Sequence, residues 1–158
     1  MDGVLTDGTV WLDESGSESK RIAFADIMGV SLGRRAGLLF ALISGEGGPL
    51  LDAIAAKLSV TDIYPGCRDK AAALRDFAAR HDLELAEVCF IGDDVNDLPA
   101  FELCGLATAP ADAQGIVLAK AAMVTARPGG AGAVREVIDY LLTGPAGEPA
   151  AHSAGRST

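Results

Sequence analysis

From residue 38 onward, short apolar runs alternate with longer stretches whose apolar residues recur at helical spacing. This is the pattern of strands joined by helical crossovers in a parallel sheet. Residues 38–43 form an unbroken apolar run that stops at Ser44-Gly45, as a strand buried on both faces does. Residues 49–58 read as a helix, with Leu50, Leu51, Ile54 and Leu58 on one face and Pro49 in the first turn. Ile63-Tyr64 is a short strand closed by Pro65-Gly66, and residues 70–81 form a helix that groups Ala71, Leu74, Phe77 and Ala78. A strand follows at 88–91, ended by Gly92-Asp93-Asp94. Short helices at 97–103 and 114–119 flank a strand at 106–109, and 123–125 is a last strand. The closing helix, 133–142, places Val134, Val137, Ile138 and Leu141 at i, i+3, i+4 and i+7.

The front of the chain follows another pattern. Thr9-Val10-Trp11-Leu12 and Arg21-Ile22-Ala23-Phe24 bracket turn-forming residues 13–18, which predicts a β-hairpin over 9–24, followed by a helix over 27–35. Residues 144–158 are rich in Gly, Pro and Ala without periodicity and are expected to be a disordered tail, leaving one domain over 1–143. The 158 residues suffice for one such domain, and 49% hydrophobic with 22% charged residues is ordinary for a soluble one. A net charge of −9 argues against a sequence-independent grip on nucleic acid or an anionic membrane, and favours a cationic partner or metal. No apolar run approaches the roughly 18 residues of a spanning helix, and Met1-Asp2-Gly3 lacks a basic leader, so the chain is expected in the cytoplasm. Cys67, Cys89 and Cys104 lack CxxC spacing and read as reduced thiols.

Four polar clusters lie at the carboxyl ends of strand-like segments, where open parallel sheets bind ligands. They are Asp2-Gly3-Val4-Leu5-Thr6-Asp7-Gly8, Ser44-Gly45-Glu46, Lys70 after Pro65-Gly66, and Gly92-Asp93-Asp94-Val95-Asn96-Asp97. Any one of them alone could be a capped turn, since Asp, Asn, Ser and Gly are favoured there. Asp93, Asp94 and Asp97 repel one another, and such a group is usually kept to hold a divalent cation. Together the clusters supply what phosphoryl transfer requires: hard oxygen ligands for Mg²⁺, a hydroxyl and backbone N–H groups for phosphate oxygens, a lysine, and a carboxylic acid for the leaving group. Arg127 beside Gly129-Gly130 is a further anion candidate, because a glycine-rich stretch lets N–H groups converge beside its guanidinium. Arg34 and Arg35 read as solvated helix charges, and His81 and His152 as isolated.

In the order and spacing of these clusters the chain resembles the haloacid dehalogenase-like phosphatases over residues 2–142. Asp2 to Gly8 resembles the second half of their first motif, DxDGVLTDG; Leu42-Ile43-Ser44-Gly45, Asp69-Lys70 and Gly92 to Asp97 resemble the second, third and fourth. The match is closest to the small capless branch acting on 2-keto-3-deoxy sugar acids of the 3-deoxy-D-manno-octulosonate 8-phosphate type. Gly129 to Glu136 resembles that branch's C-terminal segment, and the hairpin resembles its flap. The resemblance implies an α/β fold, a Rossmann-like three-layer sandwich with a mostly parallel sheet, a hairpin flap and no large cap domain. It implies an Mg²⁺-dependent phosphatase working through an aspartyl-phosphate, in a homotetramer. Asp2 would be the general acid/base and touch the metal, Ser44 and Lys70 would hold the transferring phosphoryl group, Asp93 and Asp94 would bind Mg²⁺, and Asp97 would support them.

Three departures qualify this expectation. The family's nucleophile is an Asp two residues ahead of the one matching Asp2, and the sequence starts at Met1. Omitting a central strand would leave its neighbours with unpaired backbone groups, so a start assigned too late or a trimmed chain is expected rather than a truncated protein. Glu46 stands where octulosonate-type members commonly carry Arg, which resembles the branch acting on 2-keto-3-deoxynononate 9-phosphate. A carboxylate there could accept hydrogen bonds from sugar hydroxyls. Asp26-Ile27-Met28-Gly29 resembles the Asp-Gly-x-Gly loop after the flap but has Ile27 in place of Gly, so Asp26 either contacts substrate or caps the helix that follows. A catalytically inactive binding or regulatory subunit is the alternative that the absent nucleophile leaves open. A receiver domain fits less well, since its lysine comes last whereas Lys70 precedes Asp93-Asp94.

Overall fold

The structure, a computed structural model, describes residues 1–144. The tail expected from residue 144 lies, apart from Gly144, outside the described residues.

The chain opens with a turn in which Val4 and Leu5 donate to the carbonyl of Met1 and bury their own side chains. A hairpin follows, but it is shorter than the sequence suggests: β1 (Trp11–Leu12) pairs antiparallel with β2 (Glu18–Ser19). The second arm was expected at 21–24. Asp13 Oδ1 instead accepts from the backbone of Ser15 and Ser17, closing the turn early and bringing Glu18 opposite Leu12. Phe24, freed from the hairpin, starts α1 (Phe24–Arg35) three residues before the predicted helix.

Five parallel strands alternate with helices in the predicted order: β3 (Ala41–Ile43), α2 (Pro49–Leu58), β4 (Asp62–Tyr64), α3 (Lys70–Arg80), β5 (Cys89–Ile91), α4 (Leu98–Phe101), β6 (Leu106–Ala109), α5 (Gly115–Leu118), β7 (Met123–Val124) and α6 (Ala133–Thr143). The architecture is the expected α/β fold with a small flap and no large cap. Successive residues of a strand face opposite layers. Leu42 and Ile91 belong with the apolar cluster that holds Val30 of α1, Leu51 and Ile54 of α2, and Ile138 of α6. Ile43 and Phe90 face the other cluster, with Leu74 of α3, Phe101 of α4 and Val117 of α5. Helices therefore cover both faces.

The sheet is not continuous. Among the described residues β3 pairs with β4, and β5 with β6 and β6 with β7, as two separate parallel pieces. β3 is also half the length of the apolar run that predicts it: residues 38–40 lie outside the ladder, and Leu39 is exposed. No helix among the described residues is long and apolar enough to cross a membrane.

Candidate active site

Each polar cluster is carried to one end of the sheet by the strand or turn before it. Asp2 sits in the opening turn, Ser44 just after β3, Lys70 at the first position of α3, and Asp93 and Asp94 just after β5. They line one cavity of about 340 Å³ together with Glu46, Asn96, and Glu18 and Lys20 of the flap. The sequence-predicted Asp2, Ser44, Glu46, Lys70, Asp93 and Asp94 are thus gathered in one place.

The local folding is specific. Ser44 is buried, its N–H donating to the Tyr64 carbonyl and its Oγ accepting from the Glu46 N–H at 3.2 Å. Asp69 caps α3 by accepting from the Ala72 N–H, which aims the next side chain, Lys70, inward. Lys70 donates to Asp97 Oδ1 and to Asn96 Oδ1, and the ion pair is buried on both sides. Asp97 Oδ2 accepts from the N–H groups of Asp93 and Asp94 at 2.9 and 3.2 Å. Asp97 therefore shapes the Asp93-Asp94 turn and anchors Lys70 from behind, and it is not among the cavity-lining residues. This corrects the reading of three carboxylates gathered by a cation: Lys70 and two amides neutralise Asp97.

Asp93 leans over the opening turn. Gly3 has φ of +70°, where a side chain is strained, and a methyl group there would strike the Asp93 carboxylate. Burial, then the nearby Asp97 charge, pushes the Asp93 carboxyl up to about 6, against the opposing Met1 ammonium and Lys70. Asp93 is thus a hard oxygen donor held in partial burial over the backbone of Gly3. The carboxylates of Asp93 and Asp94, both lining the cavity, are hard oxygen donors of the kind that suits Mg²⁺. Among the described residues no three acidic, His or Cys side chains converge on a single point, so backbone oxygen and water would complete the shell.

Lys20 was not singled out by the sequence, where it is one lysine in a polar hairpin. It donates to Asp2 Oδ1 at 2.8 Å and Glu46 Oε2 at 2.7 Å with its side chain 7% exposed, fastening the flap over the cavity. Burial works against its charge, and the two carboxylates outweigh that and hold its pKa above the usual value. Glu46, though largely exposed, is held at the cavity by this ion pair.

Asp26, Arg127, Gly129 and Gly130 do not line the cavity. Asp26 is fully buried and accepts from the N–H groups of Gly132 and Arg135, so it caps α6, while α1 has no side-chain cap. Gly129 packs on the Gly3 carbonyl and Gly130 donates to Val4, which makes this pair the backing of the Asp2 turn. The Arg127 side chain lies against Gly132. The cysteines are free, and burial pushes the Cys89 thiol up to about 12, leaving it protonated.

The profile of the haloacid dehalogenase-like hydrolase family matches residues 39–138. The chain belongs to that family. It is 35% identical over 142 residues to the 3-deoxy-D-manno-octulosonate 8-phosphate phosphatase of Escherichia coli strain K12, an alignment covering 90% of this chain and 76% of that one. Among solved structures, this haloacid dehalogenase-like hydrolase resembles the Moraxella catarrhalis 3-deoxy-D-manno-octulosonate 8-phosphate phosphatase in complex with magnesium ion, phosphate ion and KDO. The TM-score is 0.87 at 31% identity, covering 90% of this chain and 82% of the other. The cobalt-bound Haemophilus influenzae deoxy-D-mannose-octulosonate 8-phosphate phosphatase gives 0.87 at 34%, covering 90% and 84%.

Proposed function

We propose that this hydrolase removes phosphate from a phosphorylated 2-keto-3-deoxy sugar acid of the 3-deoxy-D-manno-octulosonate 8-phosphate type, with Mg²⁺ as cofactor. The observation that carries the reading is the convergence of Asp2, Ser44, Lys70 and Asp93 in one cavity at the carboxyl end of the parallel strands. The similarity to octulosonate 8-phosphate phosphatases supports the substrate class.

In this reading Ser44 Oγ and Lys70 Nζ receive the phosphoryl oxygens, and Lys70 offsets their charge. Asp93, Asp94 and the Asp2 carbonyl would hold Mg²⁺, which when bound supplies positive charge against the transferring phosphoryl group. An aspartate carboxylate two residues ahead of Asp2 would attack phosphorus, forming an aspartyl-phosphate, while the P–O bond to the sugar breaks and Asp2 gives its proton to the departing oxygen. Asp2 then takes a proton from the water that attacks the aspartyl-phosphate, and inorganic phosphate leaves. The position two residues ahead of Asp2 falls before Met1 of the given sequence. Exposed Trp11, Leu12 and Phe24, on the flap and the start of α1, support assembly into a homo-oligomer, a tetramer by the earlier resemblance.

Glu46, turned into the cavity and paired with Lys20, favours 2-keto-3-deoxynononate 9-phosphate as the competing substrate. The test is phosphate release from both sugar acid phosphates, with and without Mg²⁺, by the chain carrying an added aspartate-ending segment ahead of Met1. Release that needs Mg²⁺ and is lost in Asp93→Asn supports the reading. A silent extended chain overturns it in favour of an inactive binding subunit.

A further inference from the structure

The loop that follows β6, residues 110–114, touches both sides of the candidate metal centre without lining the cavity. On one side the Gln114 N–H donates to the Asp93 carbonyl at 2.9 Å. On the other, Asp112 Oδ1 accepts from the Gly129 N–H, also at 2.9 Å. Gly129 is buried and leaves no room for a side chain, since a methyl group there would strike the carbonyl oxygens of Gly3 and Thr6. Its neighbour Gly130 donates to the Val4 carbonyl at 2.9 Å. The opening turn is thus backed by residues 129–130, while the Asp93 carboxylate lies over Gly3.

These contacts close a ring that runs from Asp112 to Gly129, Gly3, Asp93 and Gln114, and along the chain back to Asp112. Two side chains belong to it: the Asp93 carboxylate, which faces the cavity, and the Asp112 carboxylate, which does not. In the sequence Asp112 stands between two alanines, outside every cluster that marks the site. A buried N–H that loses its acceptor has no water to turn to, so its segment must move to pair it again. Gly129 and Gly3 pack backbone on backbone, and movement of the first is passed to the second and to the space beneath the Asp93 carboxylate.

We propose that Asp112 is a positioning residue of the metal centre: by holding the Gly129 N–H it fixes the opening turn against the Asp93 carboxylate and so sets the affinity of the site for Mg²⁺. The assignment rests on the reading of Asp93 and Asp94 as Mg²⁺ ligands. Groups that stand behind metal ligands typically tune affinity about 10–100-fold. Asp112 acts through Gly129 and Gly3, so the lower end, about tenfold, is expected. What the ring needs at 112 is an acceptor oxygen; Asn supplies one and Ala does not. The coupling is reciprocal: if loss of the Asp112–Gly129 bond weakens Mg²⁺ about tenfold, bound Mg²⁺ makes opening of that bond about tenfold rarer.

Titration calorimetry with Mg²⁺ alone measures the dissociation constants of the chain as written, Asp112→Ala, Asp112→Asn and Asp93→Asn, and melting temperatures are recorded beside them. Asp112→Ala is expected to bind about tenfold more weakly than the parent, Asp112→Asn to stay close to the parent, and Asp93→Asn to lose binding. A second measurement needs no variant. Amide hydrogen exchange of the parent is followed with and without saturating Mg²⁺ at Gly129 and at Leu83, whose N–H donates to Ala78 beyond the end of α3. Exchange at Gly129 is expected to slow about tenfold more than at Leu83. An Asp112→Ala protein that melts lower yet binds Mg²⁺ as the parent does has lost only structural support, and overturns the proposal. Equal weakening in the Ala and Asn variants overturns it in favour of simple charge attraction. If Asp112→Ala does not fold, the exchange decides, and equal slowing at the two amides overturns the proposal. A parent that takes up no Mg²⁺ overturns the metal assignment and this proposal with it. Binding that depends on Asp93 but not on Asp112 removes this proposal alone.

Discussion

Asp93 makes the charge balance of the site measurable without substrate. Its carboxyl is pushed up to about 6 from an ordinary 3.8, by burial first and by Asp97 second. The native protein therefore keeps a proton that the unfolded chain has lost between those two values. In the absence of metal, this contribution to stability is complete below pH 3.8 and is lost as pH rises through about 6. Full linkage over a shift of about two units would be near 3 kcal/mol, and discounting for the partial solvent access of the carboxylate leaves about 1–2 kcal/mol. Asp93→Asn removes the dependence. The variant and parent are expected to match near pH 4, and at pH 7.5 the variant is expected to melt about 2–8 °C higher at roughly 2–4 °C per kcal/mol. Mg²⁺ reverses the order, stabilising the parent alone, and by less at pH 5 than at pH 7.5 because the proton competes for the same oxygens. Calorimetric melts from pH 4 to 8, with and without Mg²⁺, read both effects. Parallel curves for parent and variant without metal would refute the assignment of the buried charge to Asp93.

Asp26→Ala strips two N–H groups at the start of α6 of their acceptor. The expected loss is about 2–4 kcal/mol in chemical denaturation, after allowing for the burial cost that disappears with the carboxylate. Asp97→Asn leaves the buried Lys70 ammonium without its counter-charge and is expected to cost about 3–5 kcal/mol by the same measurement. Gly129→Ala drives a methyl group into the backbone of Gly3 and Thr6. It is expected to lower the melting temperature and to weaken the Mg²⁺-induced stabilisation, since the Asp2 turn must shift. Trp11→Ser, at a position 72% exposed, is expected to leave monomer stability within about 0.5 kcal/mol while moving the sedimentation coefficient toward the monomer.

What was legible in the sequence is what local chemistry determines. The ends of α2 are the ones predicted, because Pro49 suits a first helical turn and Leu51, Ile54 and Leu58 share a face. The site was legible because a parallel sheet brings the carboxyl ends of separate strands together, so motifs at those ends meet without any long-range pairing having to be guessed. The misreadings have a different origin. The hairpin register depended on which backbone groups Asp13 would collect, and β3 was read as twice its length because an apolar run does not reveal whether both its edges find partners. Asp26 was read as a substrate contact or a cap of the helix that follows it, because its partners lie more than 100 residues away, at Gly132 and Arg135. Lys20 carried no signal, since a lysine in a polar hairpin becomes functional only when the flap folds down onto Asp2 and Glu46. Asp97 shows the same limit from inside a motif: spacing put three carboxylates together, but only the fold could show that one of them turns back to hold Lys70 and the amides of Asp93 and Asp94. The chemistry of the site is thus written in the residues that face the cavity, and its rigidity in residues just behind it, whose partners are far apart in sequence.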